Sequence, residues 1–281
     1  MRLRLAGRQP DRAEGDLWPY RTPRTIPDNR WVTVSTRASA PMGLDRDAIT
    51  VARQVFITVG GRYSTKLGID VDGGEAEVER WFMAATLFGT RISAAVAGRT
   101  FRVLDDAGLT RIAHARHVPW NELVALLDRG GYARYDFRTA TRLQALSEVV
   151  EQRYGGQVAA IGRRFQTYAK LREALDALPG WGPVTVELFL RELRGVWPGA
   201  QPPLDDRAAR AAQHLGLLDS HDGPDALRNV ARLARAGHLD LRDLESGLVR
   251  LTLAHHGAMH LCPGGAACII STRHIGRRET G

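Results

Sequence analysis

This sequence of 281 residues has few cysteines and no long apolar run. Two cysteines, Cys262 and Cys268, are too few for a scaffold built on disulfides. No apolar stretch approaches the roughly 18 residues that a membrane helix needs, so we expect no membrane contact. The N-terminal arginines are not followed by the apolar segment of a signal peptide. These absences predict a cytoplasmic protein.

Lysine is also rare, although the chain is basic. Only Lys66 and Lys170 are lysines among 39 basic residues, and the net charge is +8. Such a surface attracts polyanions, and an arginine guanidinium can bind phosphate through two hydrogen bonds. An arginine excess is equally typical of a GC-rich genome. The charge therefore favours a nucleic-acid partner without identifying one.

Residues 1–44 have a composition poorly suited to a hydrophobic core. They contain eight arginines against four acidic residues, together with five prolines. We predict a basic, flexible N-terminal extension, in which only the alternating residues 31–37 suggest a short strand. Two interpretations stay open: a disordered tail, or a basic arm that follows a DNA backbone.

The pattern of apolar residues becomes helical after residue 44, without an internal repeat or a long strand pattern. Capping residues and glycines mark the ends of the segments. We predict an all-α protein of about ten helices. They cover residues 45–60, 75–89, 93–108, 118–131, 136–156, two helices within 166–194, 206–216, 223–236 and 240–256, before an irregular tail over 257–281.

The Leu-Pro-Gly-Trp-Gly-Pro-Val-Thr run at 178–185 predicts a tight hairpin between two helices. Gly180 and Gly182 permit a sharp reversal, and the proline after them suits the first turn of a helix. The N–H groups of Gly182, Val184 and Thr185 would then point outward, where a helix N-terminus can bind an anion such as a DNA phosphate. The alternative is an ordinary packing joint between two helices.

Two adjacent aspartates, Asp205 and Asp206, open the helix that follows a Pro/Gly-rich loop. An aspartate at this position is most often an N-cap. The order of features adds a second interpretation: a hairpin, a helix, a loop, Leu-Asp, then Arg210 and a Leu-Gly-Leu run. This order places a carboxylate near whatever the hairpin binds.

In this order the motifs resemble those of the helix-hairpin-helix DNA glycosylases, on the endonuclease III-like side of that superfamily. Residues 81–93 resemble the helix and loop that border the base pocket, and residues 130–156 resemble the segment that leads to the hairpin. The resemblance covers about residues 45–275, and its other matching residues are 178–185, Leu204, Asp205, Arg210 and 215–217.

The resemblance implies a two-lobed all-α fold with a cleft into which a damaged base is flipped. Residues 76–198 would form the central lobe with the hairpin, and residues 45–75 plus 199–281 the terminal lobe. The implied protein is a monomeric base-excision repair enzyme that acts on lesion-containing double-stranded DNA in the nucleoid. The resemblance implies a catalytic role for Asp205 and a structural one for Asp206. The residues implied in DNA binding are Gly180, Gly182, Val184, Thr185 and Arg210. Those implied at the base pocket are Trp81, Thr90, Arg91, Ser93 and Trp181, although both tryptophans could equally belong to the core.

The first departure from the family pattern is Val184, which occupies the position of the lysine that bifunctional members use for Schiff-base chemistry. Arginine cannot replace it, because a guanidinium stays protonated. Lys66 and Lys170 are the remaining amines. We therefore expect a monofunctional glycosylase in which water attacks. Two alternatives stay open: a non-catalytic DNA-binding protein, and a glycosylase with weak AP-lyase activity. The sequence does not indicate which base lesion is removed.

The second departure is the tail, where many relatives carry a four-cysteine iron–sulfur loop. Cys268 resembles one ligand position and His274 stands where a final cysteine is expected, whereas Cys262 is an uncertain match. Two thiolates cannot hold a normal cluster. A zinc site drawn from His256, His260, Cys262, Cys268 and His274 fits no standard spacing. We therefore expect a lost cluster, a metal-free loop and no cofactor.

Overall fold

The structure, a computed structural model, describes residues 46–90, 92–219 and 225–268. Every regular element within these ranges is helical, which confirms the all-α prediction. The N-terminal extension, with its suggested strand at 31–37, lies outside the described residues, as do Arg91 and His274. No helix among the described residues is both long and apolar enough to cross a bilayer.

Twelve α-helices occur in the described part of the chain. They are α1 (Arg46–Val59), α2 (Tyr63–Lys66), α3 (Glu75–Phe88), α4 (Ala94–Asp106), α5 (Trp120–Arg129), α6 (Asp136–Tyr154), α7 (Val158–Arg164), α8 (Tyr168–Asp176), α9 (Pro183–Glu192), α10 (Asp206–His214), α11 (Asp225–Ala236) and α12 (Leu241–Ala254). Three 3₁₀ turns cover Ile112–His117, Met259–Leu261 and Gly265–Ala267. The long helices agree with the predicted segments, whereas α2, α7 and the turn at Ile112–His117 were not predicted.

The first hydrophobic cluster surrounds α3, which is buried on nearly every side as its apolar sequence predicts. Aromatic rings of α3, the hairpin and α9 pack at its centre. Phe82 stacks on Trp181 with a centroid distance of 4.4 Å, and Phe189 meets both rings edge-on. This packing fixes the hairpin and α9 to α3.

The second hydrophobic cluster joins α1, α10, α11 and α12. Alanines of α10, including Ala208, Ala211 and Ala212, are fully buried, because small side chains let α10 approach α12 closely. Tyr63, Ile69 and Val71 belong to the first cluster and not to the second. The predicted lobes, their boundaries and the cleft between them stay a prediction.

Ion pairs hold the segment before α3 against the start of α12. Arg242 binds Asp72 at 2.8 Å and Asp240 at 2.6 Å, and Arg62 binds Asp243 at 3.1 Å. Burial opposes the charged form of Asp240, but hydrogen bonds and charge from Arg242 outweigh it and lower the pKa of Asp240. The carboxylate of Glu192, at the end of α9, accepts hydrogen bonds from the backbone N–H groups of Tyr63 and Ser64.

Candidate active site

The hairpin between α8 and α9 is a tight turn, as its sequence predicts. Gly180 has a φ of 81°, in the left-handed region that favours glycine. Gly182 is the extended N-cap of α9, and Pro183 is the first helical residue. Trp181 turns inward and donates a hydrogen bond from its Nε1 to the Thr86 hydroxyl at 3.1 Å. The turn is therefore anchored from inside, and Val184 is 50% exposed.

The first turn of α9 packs against the end of α3. Thr185 is buried, and a β-carbon added to Gly89 would collide with its hydroxyl. The side chain of Thr185 is thus used in packing, and only its backbone N–H can serve an anion. On the outer side, Arg142 of α6 lies over Gly180, whose added β-carbon would be 3.1 Å from the Arg142 Cδ. Arg142 adds a positive charge beside the turn and was not predicted.

A polar cavity of about 280 Å³ lies where the loop before α10 meets α9 and α12. It brings together three polar residues that the sequence singled out, Asp205, Asp206 and Arg210. The full lining consists of Glu187, Arg191, Pro202, Pro203, Leu204, Asp205, Asp206, Arg207, Arg210 and Glu245.

Asp205 is the N-cap of α10, and both of its carboxylate oxygens have partners. Oδ1 accepts a hydrogen bond from the backbone N–H of Arg207 at 2.8 Å. Oδ2 lies 3.2 Å from Nη1 of Arg191, whose side chain is almost fully buried. The capping interpretation is therefore confirmed, and the same contacts fix the carboxylate at the cavity wall.

A buried ion pair holds the loop that carries Asp205. Arg194, in the turn after α9, binds Glu245 of α12 through Nε at 3.0 Å and donates to the carbonyl of Pro203 at 3.2 Å. Glu245 is fully buried and also accepts a hydrogen bond from the backbone N–H of Asp205 at 3.4 Å. Because a buried charge without its partner is costly, this pair resists rearrangement of the loop.

Glu187 is a second carboxyl group in the cavity. Burial and the charge of Asp205 raise its pKa, while Arg172, Arg207 and Arg191 act against that rise. Neither Glu187 nor Arg191 was predicted from the sequence. Their spacing of four residues, which puts both on one face of α9, is the signal that could have found them.

The residues predicted for the base pocket do not line this cavity where they are described. Trp81 is fully buried and donates from Nε1 to the carbonyl of Phe189 at 3.3 Å. Trp181 is a core residue, as described above. Thr90 bonds to the Leu87 carbonyl and to the hydroxyl of Tyr132, and Ser93 caps α4. Burial raises the pKa of Tyr132 to about 12.

The two lysines lie on α2 and α8, and neither is among the described residues that line the cavity. Partial burial, followed by the charges of Arg250 and Arg102, lowers the pKa of Lys66. Lys170 borders a separate groove beside α6 and α7. The cavity therefore offers carboxylates and guanidinium groups but no amine from its described lining.

The donor set of the tail does not fit a four-thiolate iron–sulfur cluster, since the sequence has only two cysteines. Instead, Cys262 and Cys268 gather with His214 and His255. His256 and His260, which were considered as ligands, are exposed and lie outside this group. No family model, curated protein or solved structure matches the chain.

Proposed function

We propose that this protein is a monofunctional DNA glycosylase that binds lesion-containing duplex DNA as a monomer and hydrolyses the N-glycosidic bond of a flipped base. The observation that carries the proposal is the cavity shared by Asp205, Glu187 and Arg210. Helix α9 connects this cavity to the hairpin, since Val184 lies in its first turn and Glu187 and Arg191 follow on the next turns. Helix α9 would thus contact both a phosphate at the hairpin and a sugar at the cavity.

The proposed chemistry uses a fixed carboxylate beside C1′ of the flipped nucleotide. The glycosidic bond breaks with its electrons leaving on the base, and the sugar gains positive charge that Asp205 stabilises. A water adds to C1′ and gives its proton to Asp205. The departing base takes up a proton, and Glu187, which lines the same cavity, is the proposed donor. The reaction needs no amine and leaves the DNA strand intact.

The proposed binding surface is the outer side of the hairpin and the exposed guanidinium groups near the cavity. The backbone N–H groups at Gly182, Val184 and Thr185 begin α9, where a phosphate is favoured by the helix dipole. Arg142 lies over Gly180, and Arg210 is exposed at the cavity. These positive groups suit contacts to the backbone on both sides of a flipped nucleotide.

A second function, DNA binding without catalysis, is favoured by the contacts of Asp205. Its hydrogen bond to Arg207 and its ion pair with Arg191 are sufficient to explain why an aspartate stands there. In that case the cavity would be a by-product of helix capping. The two proposals agree on the hairpin and differ only in whether a base is released.

The experiment that separates them is a panel of short duplexes, each with one defined lesion: an oxidised pyrimidine, a mismatched base or an alkylated purine. Binding and base release are measured on the same duplexes. The glycosylase proposal expects base release from at least one duplex, without strand cleavage until the abasic site is treated with alkali. Binding to the panel without release from any member would favour the second function.

A further inference from the structure

Four potential metal ligands converge where α10, α12 and the loop after α12 meet. His214 is the last residue of α10, His255 directly follows α12, and Cys262 and Cys268 lie in the loop. One ligand atom from each side chain lies within 4.8 Å of the ligand atoms of the other three. The sequence indicated both cysteines as possible ligands but neither of these histidines, and His214 is 41 positions before the next member.

Both histidines are prepared to bind a metal. Nδ1 of His255 lies 2.7 Å from the carbonyl oxygen of Leu251, which can only accept, so Nδ1 carries the proton. The lone pair is then on Nε2, which lies 3.5 Å from the Sγ of Cys268. A backbone acceptor that fixes the tautomer in this way is typical of metal-ligating histidines. Nε2 of His214 is buried and has no hydrogen-bond partner, a cost that a metal would remove.

The loop is folded tightly onto His214. Gly264 has a φ of 72°, and a β-carbon there would lie 2.5 Å from the His214 carbonyl oxygen and 3.4 Å from its Nδ1. Cys268 is fully buried in the second hydrophobic cluster. The rings of His214 and His255 meet edge-to-face with a centroid distance of 5.0 Å. The four side chains are therefore brought together by packing.

We propose that His214, His255, Cys262 and Cys268 bind one zinc ion as a closed, structural site. Two thiolates and two imidazoles suit Zn²⁺, which prefers four ligands in a tetrahedron. With ordinary zinc bond lengths, the edge between a sulfur and a nitrogen of such a tetrahedron is about 3.6 Å, close to the observed 3.5 Å between Cys268 and His255. A two-iron cluster would instead put the cysteines and the histidines on separate irons.

The zinc ion would fix the end of α10 that lies opposite Asp205. Helix α10 begins after Asp205 and ends at His214, nine residues later. Zinc would bind its last residue to α12 and to the loop, so the helix could not shift relative to Glu245 on α12. The proposal reverses the expectation of a metal-free loop and does not depend on the glycosylase function.

The test is the metal content of the full chain produced in zinc-supplemented medium. We expect one zinc per chain, little iron and no inorganic sulfide. Cys262→Ser and His214→Ala should lose most of the zinc, whereas His260→Ala, a control on an exposed histidine of the same loop, should keep it. Less than about one zinc per ten chains, zinc retained by both ligand variants, or stoichiometric iron with sulfide would overturn the proposal.

A second measurement guards against variants that fail to fold. Wild-type protein is stripped of metal with a chelator and titrated with Co²⁺, which reports its coordination in the visible and near-ultraviolet spectrum. We expect saturation at one Co²⁺ per chain, intense tetrahedral bands, and a thiolate-to-cobalt charge-transfer band that disappears on adding Zn²⁺. The weak spectrum of octahedral Co²⁺ in protein that retains its helical circular dichroism would contradict the site.

Discussion

Glu187 lies half-buried beside Asp205, and burial together with that charge raises its pKa. A carboxyl group whose pKa is higher in the folded state binds protons more tightly when folded. Its contribution to stability is therefore present below the unfolded pKa and is lost as the pH rises through the folded pKa. Glu187→Gln should raise the melting temperature at pH 7.5 relative to wild type, and the difference should shrink at pH 4.

Thermal unfolding followed by circular dichroism measures this difference. Glu173→Gln, on the exposed side of α8, is the matched control and should change little at either pH. A Glu187→Gln protein that is less stable than wild type at pH 7.5 would show that the carboxylate is stabilised by its arginine neighbours after all.

Val184 offers a gain-of-function test, because it is exposed at the start of α9 and a longer side chain fits there without repacking. Wild type should not be trapped on abasic DNA by borohydride, since neither lysine lines the cavity. Val184→Lys should be trapped, because an amine on the hairpin would reach the abasic sugar. Val184→Arg is the control and should not be trapped.

Two results would contradict this expectation. Efficient trapping of wild type would mean that Lys66, Lys170 or another amine reaches the sugar. A Val184→Lys protein that binds abasic DNA as wild type does, yet is never trapped, would mean that the hairpin and the sugar are not neighbours.

At the scale of residues, the sequence singled out Asp205 and Arg210 but not Glu187, Arg191 and Glu245, which line the same cavity. Asp205 is recognisable because it is local: it precedes a helix and caps it. Its neighbour Glu245 lies 40 residues further along the chain, so no local pattern joins the two. The sequence also could not show whether Trp81 and Trp181 lie in the core or at a cleft, since an indole packs well in both places.

At the scale of elements, the long amphipathic helices were predictable and the short ones were not. Helix α6 repeats its apolar positions over nineteen residues, whereas α2 has four residues and α7 has seven. A segment of one or two turns cannot display a period, and such helices form because their surroundings hold them. The turn at Ile112–His117 is of this kind, packed against α6 and α3.

Two glycines with left-handed φ angles, only one of them in the hairpin, allow the effect of backbone strain to be separated from the effect on DNA binding. Gly180 has a φ of 81° and Gly216, after α10, a φ of 70°. Alanine at either position costs about 1–2 kcal/mol, because a β-carbon disfavours left-handed angles. Gly180→Ala and Gly216→Ala should therefore both lower the melting temperature by a few degrees.

Only Gly180→Ala should also weaken DNA binding, measured by fluorescence anisotropy, because it would displace Arg142 and the turn. Gly216 supplies the same kind of strain without lying in the hairpin. Equal losses of affinity in both variants would mean that the hairpin has no special part in binding.

At the scale of the whole molecule, the excess of positive charge bears on the partner. A net charge of +8 and a surface rich in arginine should give DNA binding with a strong salt dependence. We expect the affinity for a short duplex to fall at least about 100-fold between 50 and 200 mM salt. Arg210→Gln should reduce the slope of log K against log salt by about 1. A flat response would argue against DNA as the partner.

The all-α class was easier to predict from the sequence than the way in which the helices pack together. Helical periods and capping residues were enough to predict an all-α protein, because they are local properties of the chain. Tertiary packing brings Arg242 to Asp72, which is 170 residues away in the chain, and His214 to the C-terminal loop. No single-sequence pattern encodes such contacts.

The most direct test of the account compares Asp205→Asn with Asp206→Asn in single-turnover base release from a duplex on which wild type is active. Asparagine can keep the helix cap at 205 but removes the charge. Asp205→Asn should release base at least about 100-fold more slowly while binding the duplex normally. Asp206→Asn, its exposed neighbour, should stay within a few-fold of wild type. Equal rates for Asp205→Asn and wild type, or a loss confined to Asp206→Asn, would contradict the account.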